Sequence, residues 1–149
     1  LCLRTTVALA NELGIPHEDV IFEVVETENV KEREHLIGIL NEYRNKGFGI
    51  GLDDVGAGYS SLGFLGDLQP DLIKIDMDIV SGVGEDSHYL DIVDSLVNIG
   101  ERIGSTVLAE GVEEPEQFEI LEDRGVDLFQ GYSFGRPNAT PQKKASLGG

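Results

Sequence analysis

The sequence predicts an α/β fold of barrel type, in which about five parallel strands alternate with helices. Short apolar runs recur along the 149 residues, and helix-like stretches separate them, as parallel strands require. Each run also ends on polar residues, which is typical of barrel strands whose C-terminal ends build the active site. The runs cover residues 20–26, 49–54, 72–76, 106–111 and 126–131.

Two adjacent aspartates, Asp53 and Asp54, end the second run and lead into a loop punctuated by glycines. Adjacent carboxylates repel each other, so a cation commonly holds such a pair at a strand end. The alternative is an Asx-type turn in which Asp and Gly serve only the backbone. The other strand ends favour the metal site, because they bring further polar groups to the same edge. These are Glu23, Lys74, Asp76, Glu110 and Gln130.

The alternation of side chains along a strand assigns most of these groups to the inner face of the barrel. Alternate residues share a face, so Lys74 and Asp76 point one way while Ile73 points the other. Glu23 and Glu26 have opposite parity and cannot both face inwards from one regular strand. We therefore expect Glu23 to be an inner-face ligand and Glu26 to lie just past the strand end, within reach of a neighbouring loop.

These residues resemble the EAL domains, a family that hydrolyses the bacterial second messenger cyclic di-GMP. The resemblance rests on five ordered motifs over about 115 residues, each weak alone and specific together. They occupy residues 22–28, 53–62, 74–76, 109–113 and 130–137. Val55 stands where the family most often has Phe, and Ala57 where it often has Thr. The Glu-Ala-Leu tripeptide that names the family does not occur here, nor does the Asn of its following strand.

The resemblance implies an incomplete TIM-type barrel. Such barrels run to about 250 residues, so about the last five of eight strands are expected. Met77 is the only methionine, which indicates that Leu1 is an internal position of a longer protein. We expect residues 1–137 to be the C-terminal part of an EAL domain, beginning with a helix that ends at Gly14. Residues 138–149 are expected to form a flexible tail.

The activity that the resemblance implies is metal-dependent hydrolysis of cyclic di-GMP to linear pGpG, with two Mg²⁺ or Mn²⁺ ions in the complete site. Asp53 would bridge the two ions, with Glu23 on one and Asp54 on the other. Lys74 would hold the attacking water or a phosphate oxygen, and Glu110 would orient or deprotonate that water. Supporting roles would fall to Asp76, Glu113, Gln130 and Tyr132 around the substrate, and to Glu26 as the tether of the loop after Asp54.

Charge and composition limit the partners. The chain has 11 basic and 28 acidic residues, a net charge of −17, and no basic footprint for a nucleic-acid duplex. A dianionic dinucleotide could approach only where divalent cations and donors such as Lys74 screen the acids. No run of 18 apolar residues exists, so we expect no membrane contact from this segment. The single cysteine, Cys2, fits a cytoplasmic location, although a longer parent protein could be membrane-anchored upstream.

Three alternatives stay open at this point. Lys74 could serve only as a structural ion pair to Asp53 or Asp76. The domain could be a catalytically inactive module that binds cyclic di-GMP or regulates a partner, as some EAL relatives do. It could also be a half-barrel used only for association. Open strand edges, together with the segment 56–68 through which EAL domains commonly pair, lead us to expect a homodimer.

Overall fold

The computed structural model describes residues 3–25, 30–56 and 62–140. Helices and strands alternate along the chain as the sequence predicts, and a short 3₁₀ helix, His17–Asp19, precedes the first strand. The elements in chain order are α1 (Leu3–Leu13), β1 (Ile21–Val24), α2 (Val30–Arg44), β2 (Gly49–Val55), α3 (Leu62–Leu68), β3 (Leu72–Ile75), α4 (Met77–Gly82), α5 (Ser87–Ile103), β4 (Thr106–Ala109), α6 (Pro115–Asp123) and β5 (Leu128–Phe129).

The five strands form one sheet in which every strand pairs in parallel with the next one along the chain. This order confirms the predicted α/β fold with about five parallel strands and intervening helices. The last strand, β5, spans two residues and is shorter than the predicted run of residues 126–131. Within the described residues β1 and β5 are the edge strands, so the sheet is an open arc of a barrel.

The hydrophobic core lies between the outer face of the sheet and the helices. Ile50, Ile73 and Ile75 point to this face and are fully buried, with 0% exposure. The inner face is more open, since Ile21 of β1 is 45% exposed and Leu128 of β5 is 46% exposed. The assignment of Ile73 and Ile75 to the helix-facing side is the one that the sequence predicts, although β3 is buried at every position. It leaves the inner face for polar side chains.

Two aspartates secure the N-terminal edge of the sheet. Asp71 Oδ2 accepts a hydrogen bond from the backbone N–H of Ile50 at 2.8 Å. Asp127 Oδ2 does the same for the N–H of Val107, also at 2.8 Å. Each carboxylate satisfies a backbone donor at the start of the neighbouring strand. Because this edge lies opposite the polar strand ends, Asp71 and Asp127 support the fold and not the site.

The helices end where the sequence places stop signals. α1 is followed by Gly14 with φ of 66°, a left-handed conformation that glycine adopts without strain. α5 begins after Asp86, whose side chain accepts a hydrogen bond from the backbone N–H of His88. Across residues 3–25, 30–56 and 62–140, every helix falls short of the length and apolar character that crossing a membrane needs.

Two helical glycines should respond in opposite ways to substitution by alanine. An added Cβ at Gly38 in α2 would meet nothing within 4 Å, whereas at Gly100 in α5 it would lie 2.6 Å from Val107 Cγ2. Gly38→Ala should raise the free energy of unfolding by about 0.5–1 kcal/mol, because alanine is the better helix former. Gly100→Ala should lower it by roughly 1–3 kcal/mol through overpacking.

Urea denaturation of both variants checks this pair. Both substitutions bring the same gain in helix propensity, so Gly38→Ala is the matched control for Gly100→Ala. Equal stabilisation by the two would contradict the close packing of α5 on β4.

Candidate active site

Asp53 and Asp54 reach the same edge of the sheet because β2 is irregular at its end. The pairing of β2 with β3 shifts register between Leu52 and Val55, and Asp54 has a φ of 54°. In a regular strand, adjacent side chains would point to opposite faces. An irregularity of the β-bulge kind changes that direction, and aspartate tolerates the left-handed backbone better than most residues. This bulge was not predicted. The Asp-Asp pair was a signal for it, because two adjacent polar residues do not fit the alternation of a regular strand.

Lys74, on β3, lies between three carboxylates from the neighbouring strand ends. Its Nζ is 3.0 Å from Glu23 Oε2, 2.7 Å from Asp53 Oδ1 and 2.9 Å from Glu110 Oε1. The parallel register of β1 to β4 collects these groups at one place. The lysine side chain is only 6% exposed. The ion pair with Asp53, which the sequence left as an alternative role for Lys74, is therefore present.

The carboxylates keep Lys74 positively charged although it is buried, and burial in turn makes the ionised form of Glu110 less favourable. Burial alone would lower the pKa of Lys74, but hydrogen bonds to Asp53, Glu110 and Glu23 outweigh it and raise that pKa above its ordinary value. Burial raises the pKa of Glu110, and the Lys74 ammonium opposes this rise. Three carboxylates against one ammonium leave two negative charges in a half-buried space. Such a site attracts cations.

A candidate metal site adjoins the lysine. One carboxylate oxygen from each of Asp53, Asp54 and Glu110 lies within 4.8 Å of the others. Metal–oxygen bonds of about 2.0–2.6 Å put oxygens on opposite sides of a Mg²⁺ or Ca²⁺ ion about 4–5 Å apart, so the spacing fits. Carboxylate oxygens are also the donors that such ions prefer.

The membership of this group differs from the predicted ligand set. Asp53 and Asp54, both predicted ligands, are in it, and the third member within the described residues is Glu110; the role of Glu23 as a ligand stays a prediction. The Glu23 carboxylate lies 3.0 Å from Lys74 Nζ, which also holds Asp53 and Glu110. Glu110 was predicted to act on the attacking water, and its carboxylate also lies together with those of Asp53 and Asp54. The spacing of residues along the chain could not reveal this, because Glu110 directly follows β4 whereas the aspartates lie on β2.

A cleft of about 290 Å³ opens beside these carboxylates. Its walls bring together the predicted substrate residues and two members of the carboxylate group. They are Asp54, Asp76, Met77, Glu110, Gly111, Glu113, Gln130, Gly131 and Tyr132. Met77 was not predicted, yet it is 57% exposed in the cleft. Its position directly after the polar end of β3 was the available signal.

Asp76 lines the cleft and also begins a helix. It is largely buried, and its Oδ1 accepts a hydrogen bond from the backbone N–H of Asp78 at 2.7 Å. This bond caps the N-terminus of α4. One oxygen of the Asp76 carboxylate is therefore occupied by a backbone N–H group. Within the described residues, the salt bridges of Lys74 are to Glu23, Asp53 and Glu110 and not to Asp76.

A second cleft of about 420 Å³ continues from the first. The two share Gln130, Gly131 and Tyr132. The Arg136 guanidinium lies over the Tyr132 ring, with its Cζ 4.4 Å from the ring centroid, and Phe129 adds an apolar wall. The second cleft thus combines a cation with aromatic surface, next to the acidic one.

One predicted site residue, Glu26, lies outside the described residues. The segment 57–61, which Glu26 was predicted to hold, lies outside them as well. The role of Glu26 as a loop tether therefore stays a prediction.

The chain belongs to the EAL domain family. The family model described as "EAL domain" matches residues 2–137, which include all five motifs. The chain is 38% identical over 119 residues to the protein named probable cyclic di-GMP phosphodiesterase PdeG of Escherichia coli K12, a match that covers 80% of the chain.

Solved EAL structures share the fold. A standalone EAL protein from Vibrio cholerae in its cyclic di-GMP bound form has a TM-score of 0.89 and 33% identity over 97% of the chain. The Klebsiella pneumoniae protein BlrP1, in complex with manganese and cyclic di-GMP, has a TM-score of 0.81 and 37% identity over 91% of the chain. A calcium complex of BlrP1 has a TM-score of 0.83 and 37% identity over 89% of the chain.

The chain spans only part of each of these proteins. It covers 24% of PdeG, 61% of the Vibrio cholerae chain, and 36% and 34% of the BlrP1 chains.

Proposed function

We propose that these residues form part of an EAL domain that hydrolyses cyclic di-GMP to linear pGpG with the help of Mg²⁺ or Mn²⁺. The observation that carries the proposal is the convergence of Asp53, Asp54, Glu110 and Lys74 at one strand edge beside an open cleft. Relatives solved with cyclic di-GMP together with manganese or calcium support the same ligand and the same class of ion.

The donor set assigns a task to each residue. A divalent ion bound there would polarise the phosphate and acidify the attacking water. Asp53 and Asp54 would hold such an ion, and Glu23 would hold a second one with Asp53. Glu110, which faces the same position, would take a proton from the water, since a carboxylate with a raised pKa is a better base.

Hydrolysis breaks one phosphorus–oxygen bond of the cyclic substrate. The water oxygen forms a new bond to phosphorus, the ribose 3′-oxygen departs and becomes a hydroxyl, and the product keeps a 5′-phosphate. The phosphate oxygens gain negative charge on the way. Lys74 would stabilise that charge, because its raised pKa keeps it cationic.

The two adjoining clefts offer room for the dinucleotide. Asp76, Glu113 and Gln130 would provide hydrogen-bonding groups in the acidic cleft. Tyr132, 52% exposed and shared by both clefts, offers a ring face for stacking on a base. This arrangement supports binding of cyclic di-GMP by a catalytic domain. It supports binding equally well by the alternative, a module that binds cyclic di-GMP without hydrolysing it.

We further propose that residues 1–137 are the C-terminal part of the domain. The chain covers 61% of the standalone Vibrio cholerae protein over 97% of its own length, which supports a larger catalytic unit. The Glu-Ala-Leu tripeptide and the following Asn, expected as further ligands, do not occur among the 149 residues. Without those ligands, the chain alone should bind metal weakly and should not turn over cyclic di-GMP.

A hydrolysis assay distinguishes the catalytic proposal from the binding alternative. The full-length polypeptide that carries these residues should release pGpG from cyclic di-GMP in the presence of Mn²⁺ at neutral pH. Asp53→Asn should reduce the rate by at least about 10³-fold, because it removes a ligand charge from the ion. Ion-exchange chromatography of the products measures both rates.

The 149-residue chain and Asp71→Asn in the full-length protein are the comparisons. Asp71 lies at the opposite edge of the sheet, so its substitution should leave turnover near the unaltered rate. A full-length protein that binds cyclic di-GMP with Mn²⁺ but releases no pGpG would refute catalysis in favour of a receptor. Full turnover by the 149-residue chain would show that the expected additional ligands are dispensable.

We also propose that the chain self-associates as a homodimer. The outer edges of β1 and β5 have no strand partner within the described residues, and Ile21 and Leu128 add exposed apolar surface beside them. Such edges favour pairing with another chain. Family membership implies segment 56–68 as a second contact, of which residues 57–61 lie outside the described residues.

Sedimentation velocity of the isolated chain tests this proposal. We expect a dimer at micromolar concentration, and Ile21→Lys should shift the population towards monomer because a charge on an edge strand opposes pairing. Leu13→Lys, which alters an exposed leucine of α1, should have less effect. A well-folded monomer at high micromolar concentration would contradict the proposal.

A further inference from the structure

Lys74 and the candidate cation position compete for the same carboxylates. The groups that face the cation position are Asp53, Asp54 and Glu110, and two of them, Asp53 and Glu110, are held by Lys74 Nζ at 2.7 and 2.9 Å. An ammonium and a divalent ion at this place would therefore draw on the negative charge of the same two carboxylates.

The Lys74 ammonium is bound by carboxylates in the way that a cation from solvent would be. It is enclosed by carboxylates from three other strand ends, and its side chain is 6% exposed. The carboxylates are more open, with exposed side-chain fractions of 25% for Asp53 and 19% for Glu110. A cation from solvent can therefore reach these carboxylates more easily than it can reach the enclosed ammonium.

We propose that Lys74 is the resident counter-ion of the cation site. Its ammonium offsets one of the negative charges of the carboxylates while no divalent ion is bound, and it gives up at least one of Asp53 and Glu110 when an ion binds. Lys74 thereby sets the affinity of the site for divalent ions. The inference rests on the cation site of the proposed function, but it does not depend on hydrolysis.

Two consequences follow from the charges. Without Lys74, the carboxylates would repel one another in a half-buried space, so the metal-free protein should lose stability. A divalent ion would then meet more negative charge and no competing cation, so it should bind more tightly. Because a unit charge at contact distance interacts strongly near a protein surface, its removal should change the affinity by at least about tenfold.

The test compares Lys74→Met with Lys46→Met, which removes the same charge from an exposed position away from the site. Each protein is titrated with MnCl₂ in the absence of nucleotide, and free Mn²⁺ is measured by electron paramagnetic resonance. We expect the dissociation constant of Lys74→Met to fall by at least about tenfold, with that of Lys46→Met unchanged. Thermal unfolding should show Lys74→Met less stable without metal and more strongly stabilised by Mn²⁺ than the unaltered chain.

An unchanged or weaker affinity in Lys74→Met would overturn the proposal, and so would Mn²⁺ binding by neither protein. If Lys74→Met is unfolded without metal, recovery of its far-UV circular dichroism by MnCl₂, but not by NaCl at equal ionic strength, supports the counter-ion role.

If MnCl₂ does not restore the fold of Lys74→Met, a measurement on the unaltered chain tests the proposal instead. The ammonium nitrogen resonance of Lys74, followed by NMR, should shift on titration with diamagnetic Mg²⁺, and a constant resonance at saturating Mg²⁺ overturns the inference. Loss of pGpG release would bear on the proposed function alone.

Discussion

The ammonium group of Lys74 holds together three carboxylates that would otherwise repel one another at the edge of the sheet. Each carboxylate comes from a different strand end, so the contact ties β1, β2 and β4 to β3 at the place where the chemistry is concentrated. Like charges at such distances raise the free energy of the folded state unless a cation balances them. The Lys74 ammonium is such a cation, so the carboxylates can lie close together while no metal ion is bound.

The rest of the fold supplies the rigidity that this balance needs. The outer face of the sheet is fully buried at Ile50, Ile73 and Ile75, which fixes the strands that carry the charged groups. Asp71 and Asp127 hold the opposite edge by bonding backbone N–H groups, and Gly100 lets α5 pack closely on β4. Stability is thus concentrated at the N-terminal edge and the outer face, while the C-terminal edge carries groups that are unfavourable without a cation.

The fold could be predicted from the sequence because period-two alternation and polar strand ends repeat along the chain. Lys74, whose charged group meets carboxylates, lies between Ile73 and Ile75, which pack in the hydrophobic core, so polar and apolar side chains alternate along β3 although all three are buried. The meeting of Glu23, Asp53, Lys74 and Glu110 also follows from parallel strands, since their C-terminal ends share one edge.

Other features depended on information that the sequence pattern does not carry. The bulge at Asp54 departs from the regular strand on which the alternation rule rests. The use of Asp76 as the cap of α4 required knowing where that helix begins. The grouping of Glu110 with Asp53 and Asp54 depends on side-chain positions at the ends of two strands, β2 and β4. The wall formed by Met77 depends on how the cleft closes around it.

A crystal structure of the chain soaked with MnCl₂, with the ion located by its anomalous scattering, tests the central claim most directly. We expect an anomalous peak in contact with carboxylate oxygens of Asp53 and Asp54 and close to the carboxylate of Glu110. We also expect that Lys74 Nζ no longer lies within hydrogen-bond distance of both Asp53 and Glu110. An ion bound elsewhere, or an ion among these oxygens with all three lysine contacts unchanged, would contradict the claim.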